Sequence, residues 1–141
     1  MDELHLTIHP LDVKAERGIV TQIGPLTLPA LQVSAGWAAA MLPLTFEEAV
    51  ERLVRLPMAY IEPDGSFVWA SAGPPAFRWE GMLHDRGERL SHVELIGHGC
   101  NTSLVHSIIA VAGDPQQLMI QTVRDGRFFT AGSLSTQQPP A

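Results

Sequence analysis

Cysteine is nearly missing from this chain. Cys100 stands alone, so no internal disulfide can form, and a reducing, cytoplasmic setting is the simple expectation. Basic charge is scarce as well: nine Lys and Arg are scattered along a chain of net charge −6. Sequence-independent nucleic-acid binders need clustered cations to displace counterions, so nucleic acid is not an expected partner. The pairs Arg86/Arg89 and Arg124/Arg127 flank turns and read as solvated loop ends. No apolar run is long enough to cross a bilayer without a Gly or Pro interruption, so no membrane association is expected. The acidic opening Met1-Asp2-Glu3 has none of the features of a signal peptide. Charge is missing altogether from residues 18–46.

What is present describes a globular chain, 45% hydrophobic and 141 residues long, read as a single domain over 1–141. Residues 4–9 alternate, with Leu4, Leu6 and Ile8 on one side of a short half-buried strand. The uncharged stretch holds Pro25, Pro29 and Pro43, so it cannot be one helix or one central strand. It reads as strand-like pieces at 19–23 and 26–33, then a helical turn or two across 35–42. A surface of that composition is a liability in a monomer, so the stretch is either core or subunit interface. Thr45-Phe46-Glu47-Glu48 is a capping box, predicting a helix with a stripe of Ala49, Val50, Leu53 and Val54 that Pro57 ends. A second helix is expected at 102–112, closed by Gly113-Asp114-Pro115.

Three tripeptides ending in Gly punctuate the second half: Pro63-Asp64-Gly65, Asp85-Arg86-Gly87 and Arg124-Asp125-Gly126. Each fits a three-residue hairpin loop with Gly in the left-handed region. The hairpins join 58–62 to 66–70, 77–84 to 88–96, and 118–123 to 127–131. The link from Ile96 to Leu118 is long enough for a parallel crossover. The expected fold is therefore α+β, a mixed, mainly antiparallel sheet built from three β-hairpins with two main helices. Its core spans 45–131, after an N-terminal β-like segment at 1–44 and before a frayed tail at 132–141.

A three-residue loop in the second hairpin pairs His84 with Glu88, Glu80 with His92 and Arg78 with Glu94. It puts Glu80, His84, His92 and Glu94 on one side, opposite a core side of Phe77, Trp79, Leu83, Val93 and Leu95. Glu80, His92 and Glu94 then have the donor types for a divalent metal, and the two carboxylates, Glu80 and Glu94, become candidate catalytic residues for phosphodiester hydrolysis. The plain alternative is a solvated hairpin face on which Arg78 neutralises Glu94. Glu80 on one strand and Glu94-Leu95-Ile96 on the next, between two helices, resemble the restriction-endonuclease-like PD-(D/E)xK fold over roughly residues 45–123. Ile96 stands where that family has Lys, so the resemblance implies a degenerate, non-cleaving relative.

Gly97-His98-Gly99-Cys100-Asn101-Thr102 reads as a loop between a strand and a helix. Backbone donors at Gly97, His98, Gly99 and Asn101 suit a phosphate or carboxylate, while a tight turn explains the glycines equally. The pattern is neither a dinucleotide fingerprint nor a Walker loop. Cys100, near His98 and His106, reads as an activated thiol or as a spectator. Trp37, Trp69 and Trp79 belong to core or interface. Two functions follow. The first is a small acidic, non-enzymatic binding or assembly domain without cofactor, its partner a protein or a second copy in a homodimer. The second is a metal-dependent phosphodiesterase or nuclease using Glu80, His92 and Glu94.

Overall fold

The structure, a computed structural model, describes residues 4–23, 26–71, 73, 77–98 and 105–135. Nine strands form one sheet: β1 (Leu4–Pro10), β2 (Glu16–Ile23), β3 (Leu26–Gln32), β4 (Ala59–Ile61), β5 (Ser66–Ala70), β6 (Arg78–Arg86), β7 (Arg89–His98), β8 (Leu118–Thr122) and β9 (Arg127–Thr130). Their order is β2-β3-β9-β8-β1-β7-β6-β5-β4. Three helices accompany them, α1 (Phe46–Leu53), α2 (Val105–Ala112) and α3 (Ala131–Ser135). None of the described helices is long and apolar enough to cross a membrane.

Every strand pairing is antiparallel, which corrects the expected mixed sheet. The crossover explains the difference. β7 and β8 run in the same direction, but β1 is inserted between them and pairs antiparallel with both. The alternation of β1 suits that central place. Leu6 and Ile8 enter the core while His5, Thr7 and His9 face the other way. The core joins this face of the sheet (Leu6, Ile8, Trp79, Leu83, Val93, Leu95, Ile120, Phe129) to Ala49 and Leu53 of α1 and Ile108, Ile109 and Ala112 of α2.

The capping box of α1 forms as expected: Thr45 Oγ1 accepts from the Glu48 N–H, and Glu48 Oε1 accepts from the Thr45 N–H. Val54, expected in the apolar stripe, is exposed just past the end of the helix. α2 stops where Gly113 turns to a φ of +146° and its N–H reaches the Ile109 carbonyl. Residues 132–135, expected to fray, continue α3, which packs against a 3-10 turn at Pro115–Gln117. Between β3 and α1 a second 3-10 turn, Trp37–Ala39, is all that forms of the helical segment expected there.

Two strand glycines are required by aromatic rings. Phe67 pairs with Gly81 and Trp79 with Gly97 across neighbouring strands. A Cβ would lie 2.1 Å from the Phe67 ring at Gly81 and 2.6 Å from the Trp79 ring at Gly97. The three turn glycines have positive φ as expected, +94° at Gly65, +71° at Gly87 and +65° at Gly126. Their loop lengths, however, are not one length. Glu62 meets Ser66 across three residues, Arg86 meets Arg89 across two, and Thr122 meets Arg127 across four.

Candidate functional site

The face of the sheet turned away from the core gathers a cluster of ionisable side chains. β1 supplies His5 and His9, β6 supplies Arg78, Glu80 and His84, and β7 supplies His92, Glu94 and His98. Five of the six histidines of the chain share this one face. Strand alternation places them, and the register of β6 on β7 decides who meets whom.

That register corrects the expected pairing. His84 lies opposite His92, Met82 opposite Glu94, Glu80 opposite Ile96 and Arg78 opposite His98. Glu80 and Glu94 do share a face, but the path to that result differs. The turn is a two-residue loop, which alone would put the two carboxylates on opposite faces. Ser91 then enters as an extra residue on β7, between the Asp85–Leu90 and His84–His92 pairs, and restores the parity. The bulge lets both Leu90 and Val93 reach the core, and Ser91 Oγ lies 3.2 Å from the His84 carbonyl. Two apolar residues three apart in a strand are its trace in the sequence.

Glu94 is the centre of the arrangement. His84 Nε2 donates to its Oε1 at 3.0 Å and His5 Nε2 to its Oε2 at 2.8 Å. These hydrogen bonds, His84 first and His5 second, hold the Glu94 carboxyl below its ordinary pKa. His5 and His84 are diagonal neighbours of Glu94 on β1 and β6, a spacing that long side chains span. From His84 a column of rings runs inward. His92 stacks on His84 at 4.3 Å with planes 10° apart, and His9 stacks on His92 at 5.2 Å. Trp37 meets His9 edge-on at 5.0 Å and Phe128 at 4.8 Å, closing the inner end.

The column is graded in burial. His9 is only 8% exposed, with Nε2 2.7 Å from Thr7 Oγ1. Burial, and then the neighbouring His92, push its pKa from 6.5 down to about 4. His92 is lowered too, by burial first and by His84 second, although Glu94 opposes the shift. His9 is therefore neutral at neutral pH, and the stack depends on that neutrality.

Glu80 belongs to a separate group. Arg78 donates to its Oε1 at 2.9 and 3.2 Å, and His98 Nε2 lies 3.4 Å from Oε2. The Arg78 hydrogen bonds, ahead of His98, keep its pKa low. The expected ligands Glu80, His92 and Glu94 thus stand on one face with Glu80 and Glu94 engaged by different partners. Among the described residues no three His, Cys, Asp or Glu side chains converge on one point. Of the expected anion loop, Gly97 and His98 are the last residues of β7, while Gly99, Cys100 and Asn101 lie outside the described residues. His5 and His9 escaped the sequence reading because nothing local names the partners of β1. No family model, curated protein or solved structure matches this chain.

Proposed function

We propose that the chain is a small, acidic, non-enzymatic assembly domain that associates with a second copy of itself through the outer edge of β2. One observation carries this reading. β2 is an eight-residue edge strand without charge from Gly18 onward, and Ile19 and Val20 are 82% and 62% exposed. Among the described residues no strand pairs with the outer side of β2, and an edge about 27 Å long is a template for a further strand. A bulge interrupts its pairing with β3 between Arg17 and Val20, but Val20–Ile23 is regular. Self-pairing suits this strand. An antiparallel two-fold contact centred between Ile19 and Val20 sets Arg17 against Gln22 and Glu16 against Ile23 of the second copy. No like charges meet in that register, so the uncharged composition becomes self-complementary.

Light scattering over a wide concentration range tests the proposal. A concentration-dependent dimer supports it, and a strict monomer at the highest concentrations removes it. The phosphodiesterase reading, with its PD-(D/E)xK resemblance, keeps one support, the shared face of Glu80 and Glu94. It requires Glu80 to leave Arg78 and Glu94 to leave two imidazoles. Saturable magnesium or manganese binding that disappears in a Glu80→Ala/Glu94→Ala variant would favour it.

A further inference from the structure

We propose that His84 and His92 form a cross-strand chelate for a borderline divalent transition ion such as Zn2+, with Glu94, once it exchanges its hydrogen bond to His84 for the ion, as the third donor. The two histidines are directly opposite on adjacent antiparallel strands, the placement that brings side chains closest in a sheet. Their rings lie 4.3 Å apart, and metal binding would turn the His84 ring about χ2, away from its hydrogen bond to Glu94, while His92 keeps its bond to Ser91. Glu94 Oε1 is already 3.0 Å from His84 Nε2. That separation is close to the edge of a tetrahedron built on bonds of about 2.0–2.1 Å, which is roughly 3.3 Å.

The hydrogen bonds around His92 prepare it as a ligand. Ser91 Oγ lies 2.9 Å from His92 Nδ1 and within donating distance of the His84 carbonyl. When the hydroxyl donates to that carbonyl, its oxygen accepts from Nδ1–H, and Nε2 is left with a bare lone pair. A second-shell hydroxyl of this kind fixes the tautomer of a metal-binding imidazole. Solvent can reach the site, since the His84 and Glu94 side chains are 38% and 33% exposed. Two nitrogens and one oxygen select Zn2+, Ni2+ or Cu2+ over Mg2+. His5, which holds Glu94 Oε2, orients the carboxylate from behind, and Arg86 is the nearby cation that opposes binding.

Calorimetric titration of the chelator-treated full chain decides the matter. Saturable one-site binding of Zn2+ without binding of Mg2+ is expected, and a His84→Ala/His92→Ala variant should abolish it. Ser91→Ala should weaken binding about 10–100-fold. Absence of saturable Zn2+ binding overturns the proposal, and so does undiminished binding by the double variant. Should that variant fail to fold, Co2+ added to the wild-type chain gives the same answer by NMR. The ring signals of His84 and His92 should broaden first, and broadening confined to the other histidines overturns the proposal.

Discussion

β4 and β2 are the two edges of one sheet, finished in opposite ways. β4 has three residues, lies between Pro57 and Pro63, and follows a turn in which Met58 takes a φ of +66°. Behind it Trp69 donates to the Pro57 carbonyl, and aromatic rings sit on glycines across β5, β6 and β7. A short edge bounded by proline is a poor template for another strand. β2 has eight residues, and Ile19 and Val20 on it are exposed. Among the described residues, the register of its hairpin on the rest of the sheet is the Leu31–Phe128 pair of β3 and β9. One end of the sheet therefore stops at a short strand, while the other offers a long strand that carries Ile19 and Val20 in water. That asymmetry is what the assembly proposal explains.

The largest expected effect lies at the open end. Ile19→Lys with Val20→Lys places four cations around the proposed two-fold axis and should weaken dimerisation about a hundredfold or more. A single lysine at exposed Tyr60 on β4 should leave the dimer constant unchanged. Sedimentation equilibrium compares the two directly. Equal effects at both edges, or none at either, would break the contrast.

At the closed end the glycines under rings are the sensitive points. Gly81→Ala forces a methyl into the Phe67 ring and should cost about 1–3 kcal/mol in urea unfolding, the usual range for overpacking. Gly36→Ala, where a methyl meets nothing within 4 Å, is the control and should change stability by less than about 0.5 kcal/mol. If the two variants unfold alike, the closed end is not held by these contacts.

These contrasts show how unevenly the sequence could be read. Local signals were legible wherever the physics is local. The capping box at Thr45 and the positive-φ glycines at 65, 87 and 126 appear where they were expected. Register was less legible, because it sums several local choices. In the β6–β7 hairpin the expected three-residue loop is a two-residue one, and the unforeseen bulge at Ser91 cancels the change of face. Glu80 and Glu94 therefore share a side, though their cross-strand partners are four residues away from those expected. The central position of β1 was not legible at all, since only long-range pairing brings His5 and His9 to Glu94 and His92.

The histidine column links the two ends, for Trp37 comes from the segment that follows the open hairpin and His92 from the closed one. The folded pKa of His9, about 4, is below its ordinary 6.5, so the unfolded chain takes up the proton first. The stability from keeping His9 neutral is complete above pH 6.5 and is lost as pH falls from there toward 4. The depressed His92 acts in the same direction over this range, whereas the depressed Glu94 adds its loss only as pH falls below its ordinary 4.5. Of the stability lost between pH 7 and 5, about 2 kcal/mol should vanish in His9→Phe, which keeps a ring against Trp37. Urea unfolding at the two pH values measures this, and parallel losses in wild type and variant would count against the column.

The smallest effect asks whether the two ends are independent. Thr45→Ala removes the hydroxyl that accepts from the Glu48 N–H at 3.1 Å and should cost about 1 kcal/mol. For a chain of this size that is a fall of roughly 2–4 °C in Tm. Thr45 also bridges to Arg89, so the loss falls on the packing around β6 and β7 and not on β2. The dimer constant should accordingly stay at its wild-type value while Tm falls. A cap variant that also loosens the dimer would mean that helix α1 and the edge strand share one cooperative unit, and the division into a closed and an open end would have to be abandoned.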